Sequence, residues 1–448
     1  MTLSDSATPP PSSWRSSRVA GFYRLSVDER LNLLHERGFL DDDGMALLRR
    51  SGSALSRSTA EAMIENVVGV FELPIGVGLN FLINGKDYAV PMVVEEPSIV
   101  AAVSHAANLV RRCGGFTAQA DRSVMTGQIQ VVGVADPHRA AEAVLAAKED
   151  LLALANQLEP NMVARGGGAV DLDVRVLTPE GTKSRYQQMV IVHIYVDACD
   201  AMGANLINTI AEGLAGEIEA VTGGAVYLRI LSNLTDRRRV SVQCRLPVEE
   251  LGWQGYTGEE VAEGIVNASV FAETDPYRAA THNKGIMNGI DAVALATGQD
   301  WRALEAGAHA FAAVEGRYRP LARWSMADPH TLVGELDLPL AVGIVGGPIR
   351  LHPTVRVLLD MLGVESAREL ACVMGSVGLA QNLAAIKALG STGIQRGHMA
   401  LHARSVAATA GACGPEVEVI AQAMIGERTI KVERAATLLH ELRQTGGP

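Results

Sequence analysis

The sequence predicts an α+β protein: a large, mostly helical domain, an inserted ferredoxin-like β-α-β-β-α-β domain, and a mobile helical flap at the C-terminus. Three observations predict it. Residues 127–232 alternate strand-like and helix-like stretches in the order β-α-β-β-α-β, a split βαβ unit in about 100 residues, the size of one module. The flanking regions are dominated by apolar patterns of helical period. Gly390, Gly393 and Gly397 loosen the chain just before His398, which reads as a hinge or flap. The predicted division is a flexible arm over 1–20, a large domain from 21–123 and 233–392, a small domain at 124–232, and the flap at 393–448.

Composition bounds the function. With 448 residues of which 48% are apolar, the chain can bury a large core, and disorder is excluded as its main state. Aromatics are only 4%, so small residues must do much of the packing. A net charge of −11 argues against a general nucleic-acid or anionic-membrane surface, while leaving room for a local basic pocket. The five cysteines form no C-x-x-C pair and read as reduced intracellular thiols, which predicts a cytoplasmic protein. Charged residues or His interrupt every long apolar run, so no membrane span is expected. The first residues, MTLSDSATPPPSSWRSSR, are polar and Pro/Ser-rich and hold no apolar signal core.

Taken in order, 26–48 reads as a helix with Ser26 as N-cap and Glu29 completing a capping box, and 58–70 as a second helical segment. Asn84-Gly85 marks a hairpin turn, and the second arm delivers Glu95 and Glu96 to its end. Pro97 suits the first position of a nearly all-apolar, buried helix over 98–112. Strand alternation puts the two glutamates on opposite faces, so at most one enters a cavity. In the small domain, GQIQVVGVAD is a strand and the helix from Pro137 is long. DLDVRVLT and SRYQQMVIVHIYVDA pair through a turn at Gly181. A helix through 200–223 then precedes the strand AVYLRILSNL. Beyond it, TDRRRVSVQCRLP is extended and helices follow at 258–272 and 301–314. Two short strands joined through Pro339 fall in 330–350, with helices at 353–361, 365–390, 402–412, 415–425 and 430–443.

The densest polar constellation is DPYRAATHNKGIMNGIDAVALATGQD at 275–300, with Arg278, His282, Asn283, Lys284, Asn288, Asp291 and Asp300 within 23 positions. Gly285 and Gly289 allow close backbone approach there. A lysine beside small apolar residues is a candidate stabiliser of an oxyanion, although a capped surface turn explains the composition equally well. Glu96, Lys284, Asp300 and His398 could together make a proton-relay site, but spacing alone does not bring them together. The G-x-G-x-x-G fingerprint, a Walker loop, a nucleophile elbow and H-E-x-x-H are all absent. His398 and His402 are four apart without a nearby carboxylate, so no metal is expected.

Longer strings carry a resemblance. ENVVG (65–69), VPMVVEEPSIVAA (90–102), DAMGAN (200–205), RILSNL (229–234), the stretch from 275 to 310, GLAQNLAAIKAL (378–389) and GIQRGHMALHAR (393–404) occur in order over most of the chain. In these the chain resembles the hydroxymethylglutaryl-coenzyme A (HMG-CoA) reductases of the soluble bacterial class II, and within them the degradative type. The resemblance implies a large domain binding coenzyme A and substrate and a small nucleotide domain. It implies no membrane anchor and no nucleic acid. Active sites would be shared across a homodimer or a higher assembly of dimers. It implies catalytic roles for Glu96, Lys284, Asp300 and His398, and acyl-substrate contacts from Ser98, Arg278, Asn288 and Gln381. Asn233 would support the lysine, and Asp200, Met202, Gly203 and Asn205 would hold the nucleotide.

On that reading Lys284 stabilises the reacting oxygen, and Asp300 holds the lysine. Glu96 moves the proton if burial raises its pKa, and His398 serves the coenzyme A thiol. Glu159 matches an acidic position that selects NAD by repelling a 2′-phosphate. The expected reaction is therefore oxidation of (R)-mevalonate with coenzyme A and two NAD+ to HMG-CoA, through mevaldehyde and a hemithioacetal. The alternatives are NADPH-dependent reduction of HMG-CoA to mevalonate, or a non-catalytic coenzyme A-binding protein.

Overall fold

The computed structural model describes residues 15–50, 54–181, 186, 188–391 and 394–444, with the side chains of 348 and 394–401 outside the description. Ten strands are present among the described residues. They are β1 (Ile75–Ile83), β2 (Lys86–Val93), β3 (Thr117–Ala120), β4 (Val124–Val132), β5 (Gly168–Leu177), β6 (Met189–Asp197), β7 (Ala225–Ser232), β8 (Arg239–Pro247), β9 (Ala322–Asp328) and β10 (Thr331–Pro339). They form a β1-β2 hairpin, a β3-β8-β10-β9 sheet and a β5-β6-β4-β7 sheet.

The last of these is the ferredoxin-like unit. Its second and third strands pair, the first lies beside the third, and the fourth closes the edge, all antiparallel. Ile129, Val192 and Ile194 of the sheet share one core with Leu151, Ile207 and Ile210 of its helices. Each predicted long helix is two: 137–146 and 148–158 meet at Ala147, and 204–213 and 215–222 meet at Leu214.

The main body is built on two long helices, Pro276–Ala296 and Ala367–Leu389. Glycine lets them approach. A side chain at Gly378 would begin 2.9 Å from Ile290, and one at Gly289 would begin 3.1 Å from both Gln381 and Val377. This is how a chain poor in aromatics fills its interior. Gly285, by contrast, has nothing near it. The 367–389 helix is the one described helix long and apolar enough to cross a membrane, yet 83% of its apolar window is buried inside the molecule.

Several local expectations are corrected. The 26–48 stretch keeps its Ser26–Glu29 capping box but breaks into 27–36 and 42–48, with Gly38 at φ 71° between them. Only 57–61 of the second segment is helical. The hairpin turn is as read, with Asn84 and Gly85 at φ 51° and 79°, the left-handed pair of a type I′ turn. The following helix starts at Ile99, not at Pro97, and it buries only the stripe Ile99, Val103, Ala106, Ala107, Leu109 and Val110. The strands near 330–350 are β9 and β10, and β10 ends at Pro339. Residues 275–300 are no surface turn: Asp275 caps the Tyr277 amide at 3.0 Å, Pro276 takes the first position, and 21 residues of helix follow.

Within the stretch expected to be a flexible arm, Ser17 is buried and its amide donates to Asp87 at 2.9 Å. Asp87 in turn pairs with Arg111 at 2.5 Å. At the other end, helices 394–409, 415–426 and 432–444 pack around their own core of Ala403, Val406, Ile420, Met424 and Leu439. The first of them begins before Gly397, so the loosened region is shorter than the glycines suggested.

Candidate active site

Two elements meet to make the site. The β2 strand ends just before Glu95 and Glu96, and Lys284 lies on the 276–296 helix. Glu95 is exposed, whereas Glu96 turns inward and accepts a hydrogen bond from the Lys284 ammonium at 3.0 Å. Two residues on, Ser98 is the N-cap of the next helix at φ 78°, a conformation that costs a non-glycine residue energy and that clusters at functional sites. Asn288 stands one helical turn beyond Lys284 and Asp291 a further turn, so the three share a face. Gln381 reaches that helix beside Gly289; it is 6% exposed, and its Oε1 has no donor among the described residues. The centre is open: the side chains of Lys284 and Glu96 are 62% and 39% exposed in a single chain. The burial expected around Glu96 is therefore not provided by the chain that carries it.

Other expected members are not brought to this pair. Asp300 caps the 301–312 helix, accepting from the Ala303 amide at 3.1 Å, and lies 3.7 Å from Arg302. It follows the end of the helix that bears Lys284, and the Gln299 amide is bonded back to Ala294 at 2.8 Å. At 1.5 Å per residue, that helix end is about 18 Å from Lys284. Asp300 of the same chain does not reach the lysine. Arg278 points about 120° away from Lys284 around the helix. Burial lowers its pKa, and it faces His282. Burial, and then Arg278, pushes that histidine down to about 4, so it is a neutral core residue bonded to Asn382 at 3.0 Å. Asn233 is exposed just after β7, its backbone carbonyl against Gly307. His398 falls in the 394–409 helix, and its side chain lies outside the described residues.

Two features escaped the sequence reading. Asp291 faces the carboxyl of Glu305, and its buried Oδ1 has no donor among the described residues. Burial first, and Glu305 second, push Asp291 up to about 8, while the His309 hydrogen bond at 2.6 Å holds Glu305 low. His309 in turn meets the Tyr318 hydroxyl at 2.6 Å. The signal was only Asp and Glu fourteen positions apart, which no periodicity links. The second feature is a cavity of about 840 Å³ between residues 18–23, β1 and the 99–112 helix, lined in part by Arg18, Arg30, Ser104, His105 and Asn108. The arginines of the N-terminal stretch were its one visible sign.

The proposed nucleotide residues surround the start of the 204–213 helix. Gly203 is its N-cap at φ 101°, packed so that a side chain would begin 2.9 Å from Ala198. Asp200 accepts the Ala367 amide at 2.9 Å, the Met202 carbonyl accepts from Arg238 at 3.0 Å, and Asn205 is exposed in the first turn. Free amides at such an end suit a pyrophosphate. Glu159 sits where the chain breaks, at φ −131° and ψ 60°, before Pro160 opens a new turn. Six residues later the Arg165 carbonyl accepts from Cys199 beside Asp200, and Arg122 reaches Asp197 at 2.9 Å from the other side.

The hydroxymethylglutaryl-coenzyme A reductase family profile matches residues 26–403. The chain belongs to that family. The 3-hydroxy-3-methylglutaryl-coenzyme A reductase of Archaeoglobus fulgidus is 47% identical over 428 residues, covering 96% of this chain and 95% of that one. A probable reductase of Borreliella burgdorferi is 37% identical over 77% of each chain. The Streptococcus pneumoniae enzyme superposes with a TM-score of 0.80 at 46% identity, over 94% of this chain and 99% of that one. A class II structure from the same organism, bound to NADPH in open conformations, gives 0.79 at 46% identity, over 94% of this chain and 100% of that one. The HMG-CoA reductase described here is thus a class II member and an NAD(P)-dependent oxidoreductase acting on the coenzyme A thioester.

The NADPH-bound relative overturns two expectations: NAD as the coenzyme, and mevalonate oxidation as the reaction. The physical reason lies at Glu159. Pro160 restarts the helix there, and Arg122 and Arg165 as well as Asp197 and Asp200 act on Cys199 beside the 200–205 segment.

Proposed function

We propose that this HMG-CoA reductase works reductively with NADPH: HMG-CoA, two NADPH and two protons give (R)-mevalonate, coenzyme A and two NADP+. The NADPH-bound relative supports the coenzyme and the direction, and the Lys284–Glu96 contact at 3.0 Å between two elements 188 residues apart supports the chemistry. NADPH, when bound, supplies the hydride. Lys284 stabilises the negative charge that develops on the acyl oxygen, and a proton taken up from solvent reaches that oxygen through the Lys284–Glu96 hydrogen bond. Ser98, Asn288 and Gln381 hold the acyl group; the Gln381 Oε1, without a donor among the described residues, supports this. His398 on the flap protonates the leaving thiolate. The cavity lined by Arg18, Arg30 and His105 suits the anionic end of coenzyme A. Its lining on the 99–112 helix runs from Val100 to Asn108, about 3 to 15 Å along the axis from Ser98, a span the pantetheine arm can cross. Asp200, Met202, Gly203 and Asn205 take the pyrophosphate end of the nucleotide, and Arg165 or Arg122 its 2′-phosphate.

The site is completed in a cytoplasmic homodimer. The exposure of Lys284 supports this, as does the placement of Asp300 of the same chain beyond the end of the Lys284 helix, about 18 Å along it, capping the next helix instead. So do the exposed apolar residues Ile64, Val68 and Phe71 in and beside the ENVVG string. Initial rates with NADPH and NADH on HMG-CoA test the proposal: a clear preference for NADPH is expected, and a preference for NADH refutes it.

A further inference from the structure

We propose that Gln299 is a positioning residue: its carboxamide locks the turn carrying Asp300 to the Asp200–Met202 segment, so that losing it slows hydride transfer without weakening binding. The inference rests on the NADPH-dependent reading above.

Gln299 is 9% exposed, and both ends of its amide are used. Its Oε1 accepts from the Gly343 amide at 2.8 Å, and its Nε2 donates to the Gly343 carbonyl at 2.9 Å and to Thr297 at 2.8 Å. The same glycine touches the nucleotide segment on its other side. A side chain at Gly343 would begin 2.5 Å from the Met202 amide nitrogen, and the next amide, Ile344, donates to the Asp200 carbonyl at 2.9 Å. Ala201 bridges Val345, and buried Arg238 donates to the carbonyls of Ala201, Met202 and Val342. One backbone segment is thus clamped between the residue before Asp300 and the residues before the nucleotide helix.

Only a side chain with a donor and an acceptor at this length closes the clamp. Buried hydrogen bonds of this kind fix geometry strongly, because leaving their partners unpaired is costly. These contacts fall on the backbone of Gly343 and of the Asp200–Met202 segment, so the clamp acts through the placement of Asp300 and Met202.

Gln299→Met matches the length and offers neither donor nor acceptor. With HMG-CoA and NADPH, kcat should fall about tenfold or more, because small misplacements at a reacting centre cost this much. Both KM values should stay within about threefold, since uniform binding is untouched. The primary deuterium isotope effect with 4-deuterated NADPH should rise, as hydride transfer becomes rate-limiting. An unchanged kcat, a loss confined to KM, or an unchanged isotope effect would overturn the assignment. Should the methionine variant not fold, Gln299→Asn keeps the amide one carbon short and is read by the same ratios; wild-type values there overturn it equally. A wild-type protein that does not oxidise NADPH with HMG-CoA defeats the functional reading itself. An active wild type with unaffected variants defeats only the clamp.

Discussion

Two acidic centres share one face of the 276–296 helix and differ in everything but that. Glu96 meets Lys284 in the open, where water screens the pair. Two turns along, Asp291 meets Glu305 out of water, and its carboxyl is pushed up to about 8. The first has the right charges without a low-dielectric surround; the second has the surround without a cation. The difference teaches that a single chain supplies the chemistry of the reacting pair, while its exclusion of water must come from what closes over it: the flap, the substrate, or a second subunit.

The comparison can be broken at either end. The largest effect is expected from Lys284→Ala, which should lower kcat for HMG-CoA reduction by about 10³-fold, the scale of losing a main oxyanion donor. Coenzyme A binding, followed by calorimetry, should persist. His398→Gln should cost less, and unequally: reduction of free mevaldehyde should survive better than the full reaction, because only the thiol step uses the imidazole. Equal losses would remove His398 from that role.

At the buried centre the effect is on stability. Asp291 holds a proton in the folded chain that it releases near its ordinary value when unfolded. Its contribution is complete below about pH 4 and is lost as pH rises toward about 8. Asp291→Asn stays neutral throughout, so its thermal midpoint should gain on the wild type by a few degrees, about 2–4 °C, between pH 5 and 8.5. A constant offset across that range would mean that Asp291 is ionised in the fold. Smallest is Asp275→Ala, which removes the cap of the helix carrying both centres and should cost about 1 kcal/mol in urea unfolding, with kcat nearly unchanged.

How much of this was legible in the sequence depends on distance along the chain. The ferredoxin-like unit was readable because its strands and helices alternate locally, and the hairpin because Asn84-Gly85 fixes its own turn. Ser26 and Glu29 declared their capping box three residues apart. The β3-β8-β10-β9 sheet was not legible as a sheet: its strands come from three separated segments, and only the β8 and β10 stretches read as extended. Pairing Glu96 with Lys284 needed the resemblance, since no pattern links residues 188 apart. The polar stretch around Lys284 hid a helix because its apolar residues are small and its glycines looked like turns. Glu159 misled because its acidic type matched the expected position while Pro160 breaks the chain there.

The central claim is that the Lys284–Glu96 pair of one subunit is completed by Asp300 of another. Mixing inactive Lys284→Ala and Asp300→Ala chains after mild dissociation tests it most directly. With random reassortment of a two-fold dimer, about a quarter of wild-type activity should return, because one site in each mixed dimer regains both groups. If the mixed protein stays as inactive as its parents while forming dimers, the two residues act within one chain or not together, and the account is contradicted.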